Sequence, residues 1–188
     1  MARLSRLRLH RRVSDPVAAQ MEVLEGLVTK GQATAFGRAH GLHSGMSVQA
    51  FQEAVPVRSY EGLRAFVDRA VAGETDVLWP GKPLYFCKTS GTTSGAKYIP
   101  LTQDSMPNHI GSARNALLGH IAGTGDASFV DGKMIFLQGS PELGSTPGGV
   151  PLGRLSGIVA HHVPSYLQRN RLPSWEANCI EDWEDKVQ

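Results

Sequence analysis

The sequence predicts an α/β fold in which helices come first and strands follow. Three observations predict it. Between residues 15 and 73, apolar side chains recur at helical spacing behind cap residues. Two aromatic-rich runs, PLYFCKT and KYIPL, then flank a loop of Gly, Ser and Thr. A third apolar run, GKMIFLQG, follows one more helical segment. With 188 residues the chain is long enough for one domain with a core. No apolar run approaches the length that crosses a bilayer, so no membrane partner is expected.

The first fourteen residues form a separate basic segment. Arg3, Arg6, Arg8, Arg11 and Arg12 stand there without an acid; the other 14 basic residues face 17 acidic ones, a net −3. A targeting segment and a nucleic-acid arm both have this look. The simpler reading, with Leu4 and Leu7 packing and the arginines in water, is the one taken, and no nucleic-acid partner is expected. Cys87 and Cys179 lie far apart and outside any C-x-x-C pair. That spacing argues against a disulfide framework or a zinc site and suits a reducing cytosol. With no secretory segment in view, a cytoplasmic location is expected.

Residues 15–188 make up the second unit. Ser14, Asp15 and Pro16 open a helix carrying Val17, Met21, Leu24 and Val28, with Gly31 as its stop. A shorter helical stretch runs from Thr34 to His40 and ends at Gly41. Ser47 caps another with Val48 and Phe51, broken by Pro56. Ser59 is expected to cap a fourth, whose apolar face is Tyr60, Leu63, Val67, Ala70 and Val71, and Gly73 ends it. Pro100 places the second strand of the following pair at an edge or strand end. A helix begins within Thr102–Pro107, with Ile110, Ala113, Leu117, Leu118 and Ile121 on one face. GKMIFLQG reads as a buried strand after the Asp131-Gly132 turn. Residues 139–157, rich in Gly, Ser and Pro, read as one long loop. From Trp175 onward, Ile180, Trp183 and Val187 mark an amphipathic helix, within which the sequence stops.

The loop carries the chemistry. Seven of the eight residues from Thr89 to Ala96 are Gly, Ser or Thr, and Lys97 follows. Gly91 and Gly95 let backbone N–H groups approach a ligand. Thr89, Ser90, Thr92, Thr93 and Ser94 add hydroxyl donors, and Lys97 adds a point charge. Such a set suits a polyanion, with phosphate first. The P-loop motif does not fit: Gly91 and Gly95 are one residue too close, Ala96 separates Gly95 from Lys97, and Tyr98 stands in place of the magnesium-binding hydroxyl. A hairpin loop without a ligand has the same composition, so the loop alone leaves both readings open. His161 and His162, on a strand, would face opposite ways and lack an acidic or cysteine partner at ligand spacing, so no metal site is assigned. Cys87 reads as a buried, inert thiol.

Beyond the loop, the stretch TSGTTSGAKYIPLT resembles the first signature of adenylate-forming enzymes. Together with ATAFGRAHGL and FQEAVPVRSYEGLRAFVDRAVAGE upstream, it is similar to the auxin-responsive (Gretchen Hagen) family of acyl-acid amido synthetases. The resemblance covers roughly Gln20 to Thr102 well and is weaker through GKMIFLQGS. It implies the N-terminal part of a mixed-sheet adenylate-forming large domain, incomplete in this chain. It also implies use of ATP and Mg to turn a carboxylic acid into an acyl-adenylate, from which an amino acid displaces AMP to form an amide. On that resemblance Thr89, Ser90, Gly91, Thr92, Thr93, Ser94, Gly95 and Lys97 contact the ATP phosphates. The substrate carboxylate is the nucleophile, so no catalytic side chain is named and positioning carries the rate. The family's Tyr-x-x-Thr-Glu-like and Tyr-Arg-x-Gly-Asp-like segments, for adenine, metal and ribose, do not occur in the sequence. The expectation is therefore a truncated adenylation domain that holds the phosphate loop and is inactive alone. The alternatives are a non-catalytic binding module and acyl transfer to a thiol such as coenzyme A.

Overall fold

Local capping starts the helices that open the chain. The Asp15 side chain accepts the Ala18 N–H at 2.9 Å and begins α1, Pro16–Gly31. Thr34 accepts from Gly37 N–H at 2.9 Å ahead of α2, Ala35–Ala39. Ser47 accepts from Ala50 N–H at 3.1 Å ahead of α3, Val48–Ala54. These oxygens satisfy amide donors that a helix start otherwise leaves orphaned. The fourth helix, α4 (Tyr60–Val71), begins at Ser59, whose side chain makes no such bond. Its first turn instead carries Glu61, which pairs with Arg64 at 2.9 Å. This computed structural model describes residues 7, 10, 13–89, 97–136, 138–162, 170–180 and 182–187.

Strands β1 (Tyr85–Lys88) and β2 (Tyr98–Leu101) form an antiparallel hairpin, and β5 (Pro151–Gly153) runs parallel to β1 on its other side. Strand β4 (Gly144–Ser145) pairs antiparallel with β5, giving a mixed sheet of order β2-β1-β5-β4. Between β2 and the third strand lies α5, Met106–Thr124. Thr102 and Ser105 open it with reciprocal side chain–backbone bonds of 3.0 and 3.1 Å. After β5 the chain turns into α6, Leu155–His161.

The sheet is covered on both faces, and the alternation of side chains along β1 shows why. Phe86, fully buried, points to one side and packs with Ala70 of α4, Val77 and Val150. Cys87 points to the other, where it meets Leu101, Met106 of α5 and Ile158 of α6. The apolar face expected on the fourth helix is real at Val67 and Ala70, each 3% exposed. Helix α2 is tied to the same layer by its own start: Ala35 and Phe36 N–H donate to the Asp76 and Val77 carbonyls at 2.8 and 2.9 Å.

Three expectations change. Among its described residues the run GKMIFLQG holds a two-residue strand, β3 (Met134–Ile135), paired in parallel with β6 (Arg171–Leu172), and Ile135 is 67% exposed rather than buried. Residues 139–157 are not one loop, because β4, β5 and the first turn of α6 lie within them. The terminal amphipathic helix is two short helices, α7 (Trp175–Cys179) and α8 (Trp183–Val187); Ile180 is extended between them, with φ −66° and ψ 120°.

Candidate functional site

Thr89 and Lys97 sit at the C-terminal end of β1 and the start of β2, where the hairpin closes. The Thr89 N–H donates to the Lys97 carbonyl at 3.0 Å, and the Lys97 N–H reaches the Thr89 hydroxyl at 3.4 Å. The ladder thus continues one pair beyond Lys88↔Tyr98. Both residues are half-buried. The expected contacts at Ser90, Gly91, Thr92, Thr93, Ser94 and Gly95 lie outside the described residues.

Two side chains that the sequence reading did not single out hold the root of this hairpin. On the β2 side, the Tyr60 hydroxyl accepts the Tyr98 N–H at 2.9 Å, and the Lys97 ammonium stands 5.6 Å from the Tyr60 ring centroid. That is within reach of a cation–π attraction. On the β5 side, Arg154 follows the last residue of β5. Its Nη1 donates to the Lys88 carbonyl at 3.0 Å, and its backbone N–H to the Ser140 carbonyl at 2.8 Å. The Arg154 stem lies on Gly139, where an added Cβ would come within 2.5 Å of Arg154 Cγ. Helix α6 comes equally close to the same segment, since a Cβ on Gly157 would stand 2.2 Å from the Gly139 carbonyl oxygen. Close approach of α6, β5 and residues 139–141 therefore places Arg154.

The result is a cationic mouth. Lys97 and Arg154 flank the carboxyl end of β1 from opposite sides, and among the described residues no carboxylate lies within ion-pair distance of either. Ligands of α/β sheets commonly bind at this end of parallel strands. Two unneutralised cations beside a hydroxyl and a run of small residues attract an anion and reject a carboxylate-rich surface.

The other candidates separate from this place. His162 stands at the far end of β1, with its Nε2 3.3 Å from the Tyr85 hydroxyl and its ring edge-on to Tyr85. The His161-His162 pair ends a helix rather than lying on a strand. Among the described residues no group of three His, Cys, Asp or Glu side chains gathers to hold a metal ion. Cys87 is buried and free, and burial pushes its thiol up to about 11. No helix among the described residues is long and apolar enough to cross a membrane. Arg154 left no usable signal, because it stood inside a run read as loop; Tyr60 left one, a polar tip on an otherwise apolar helix face.

A family model described as the GH3 family N-terminal domain matches residues 6–187. The indole-3-acetic acid-amido synthetase GH3.15 of Arabidopsis thaliana is 34% identical over 93 residues, 48% of this chain and 16% of the relative. A probable indole-3-acetic acid-amido synthetase GH3.1 of Oryza sativa subsp. japonica is 29% identical over 134 residues, 70% of this chain and 22% of the relative. Among solved structures, the GH3.15 acyl acid amido synthetase superposes with a TM-score of 0.67 at 23% identity, over 86% of this chain and 28% of that one. The chain thus spans less than a quarter of the length of these curated relatives.

Proposed function

The chain belongs to the GH3 family, and from that premise we propose that it contributes the phosphate-binding wall of an ATP-dependent acyl-acid amido synthetase. The observation that carries the reading is the cationic mouth at the hairpin root, where Lys97 and Arg154 stand without carboxylate partners among the described residues. The donor set there fits a polyphosphate. Thr89 and Lys97 close the loop, and Ser90, Gly91, Thr92, Thr93, Ser94 and Gly95 supply small residues and hydroxyls between them.

In the reaction proposed, a substrate carboxylate attacks the α-phosphorus of ATP. A carboxyl–phosphorus bond forms, the α–β anhydride breaks, and pyrophosphate leaves. The amine of an amino acid then attacks the acyl carbon, AMP leaves with the bonding electrons, and the amine gives up a proton. This chain's residues would act mainly on the first step. Lys97 and the loop donors meet the charge that builds on the departing phosphates, and a preformed arrangement of donors costs no reorganisation at that moment. Arg154 adds a second positive charge on the other side of β1. Magnesium would arrive with the nucleotide and neutralise phosphate charge. The amido synthesis for which the relatives are named favours an amine acceptor. The acyl acid, the amino acid, and a division into a basic segment over 1–14 and an adenylation-domain portion over 15–188 belong to the same proposal.

The test is acid-dependent pyrophosphate release by the full-length gene product, given MgATP and a panel of carboxylic acids. The expected outcome is release with at least one acid, lowered a hundredfold or more in Lys97→Ala if the lysine meets charge developed only in the transition state. Absence of release with every acid refutes the reading.

A further inference from the structure

We propose that Tyr60 is a positioning residue for the loop: it seals the free edge of β2 and holds the Lys97 ammonium beside the hairpin mouth without neutralising it. The inference rests on the phosphate-binding reading of Lys97 and the loop.

The argument begins with β2 as an edge strand. In an antiparallel pair, alternate residues turn both backbone polar groups away from the partner strand. Tyr98 is such a residue. An open edge leaves those groups to water and lets the register slip. The Tyr60 hydroxyl stands 2.9 Å from the Tyr98 nitrogen and 3.5 Å from its carbonyl oxygen, accepting from the first and donating to the second. One hydroxyl thus seals the edge directly beside the loop.

The same ring serves Lys97, whose ammonium lies 5.6 Å from its centroid. A carboxylate at this place would hold the lysine more strongly but cancel the charge that a phosphate needs. An aromatic face attracts the ammonium by its quadrupole and leaves the full positive charge in place. Tyr60 is the first residue of α4, whose Val67 and Ala70 are locked in the core. The position of Lys97 is therefore referred to a rigid helix rather than to the loop.

Two variants separate the two roles. Tyr60→Phe keeps the ring and loses the hydroxyl; Tyr60→Leu loses both. The full-length gene product, labelled with carbon-13 at lysine Cε, gives a Lys97 signal identified by its loss in Lys97→Ala. Calorimetric titration with MgATP gives affinity, and hydrogen exchange reports the Tyr98 amide. The expected result is a Lys97 signal shifted by the ring current in the wild type and in Tyr60→Phe, and unshifted in Tyr60→Leu. MgATP affinity should fall about two- to tenfold in Tyr60→Leu, approaching Lys97→Ala, and less than about twofold in Tyr60→Phe. The Tyr98 amide should exchange faster in both. The inference is overturned if Tyr60→Leu keeps the wild-type Lys97 signal and affinity, or if Tyr60→Phe loses as much affinity as Tyr60→Leu. If Lys97→Ala binds MgATP as the wild type does, or the wild type takes up neither MgATP nor pyrophosphate, the phosphate-binding reading fails and this inference falls with it.

Discussion

Replacing Gly157 by alanine should destabilise the chain, although the same change at another helical glycine should stabilise it. Both glycines lie inside helices, Gly157 in α6 and Gly119 in α5. In each the substitution raises helix propensity, by about 1 kcal/mol. At Gly119 an added Cβ meets nothing within 4 Å, so the gain stands alone. At Gly157 it lies 2.2 Å from the Gly139 oxygen, 2.7 Å from the Pro141 nitrogen and 3.0 Å from the Pro141 Cα. A comfortable contact is about 3.5 Å, so α6 or the 139–141 segment must retreat by roughly 1.3 Å. All three obstacles are main-chain atoms, which cannot swing aside as a side-chain tip does. Overpacking of that kind costs about 3 kcal/mol, which leaves a net loss of about 2 kcal/mol after the propensity gain. For a domain of this size, each kilocalorie moves the melting temperature by about 2–4 °C. Thermal unfolding should therefore show Gly157→Ala about 4–8 °C below the wild type and Gly119→Ala about 2–4 °C above it. Retreat of the 139–141 segment also strains the 2.8 Å bond from the Arg154 N–H to the Ser140 carbonyl, so that amide should exchange faster. A Gly157→Ala protein that melts at or above the wild type would refute the close-packing argument, and with it the account of how Arg154 is held at the loop.

Three further outcomes are expected. Arg154→Met keeps the aliphatic stem over Gly139 and removes the guanidinium from the Lys88 carbonyl; melting should fall by about 2–4 °C and calorimetric MgATP affinity by about fivefold, each corresponding to roughly 1 kcal/mol. Cys87 has a thiol pushed up to about 11 by burial, so the folded state holds its proton more firmly than the unfolded chain. Its contribution is fully present below about pH 9 and is lost as pH rises through about 11, the whole loss amounting to roughly 2–3 kcal/mol; urea titrations of wild type and Cys87→Ala across that range should diverge, and parallel curves would count against it. Asp104 accepts from the Lys30 ammonium at 2.9 Å and the Trp79 indole at 3.1 Å, which hold its carboxyl below the usual range. The stability it adds is present above the ordinary carboxylate pKa and disappears as pH falls through the lowered one, so Asp104→Asn should flatten the acid side of the stability profile, and added salt should do the same.

The parts that could be read from the sequence are those decided within a few residues. The caps at Asp15 and Ser47 were readable because each oxygen bonds an amide three positions on, whereas the cap expected at Ser59 makes no such bond. The hairpin was readable because two strand-forming runs bracket one glycine-rich loop, and Pro100 correctly placed β2 at the sheet edge. The family was readable for a related reason, since each segment that carries the resemblance is a contiguous run of residues. Length misled at the end of the chain. Apolar spacing from Trp175 suggested one helix, but the extended Ile180 splits it in two.

What only the tertiary structure decided depends on pairings far apart in the chain. Strand β5 has three residues, one of them glycine, too little for propensity to reveal; it exists because β1 offers it a parallel edge, with Phe86 opposite Leu152 and Cys87 opposite Gly153. That pairing turns a stretch read as loop into a strand and carries Arg154 to the carbonyl of Lys88, 66 positions away in sequence. Tyr60 reaches Tyr98 across 38 positions by the packing of α4 on the sheet. The sequence by itself therefore determined which residues make up the loop of Gly, Ser and Thr between the two hairpin strands. The sheet determined what stands around that loop, because backbone pairing between distant strands, and not local preference, brings Tyr60, Lys97 and Arg154 to one end of β1.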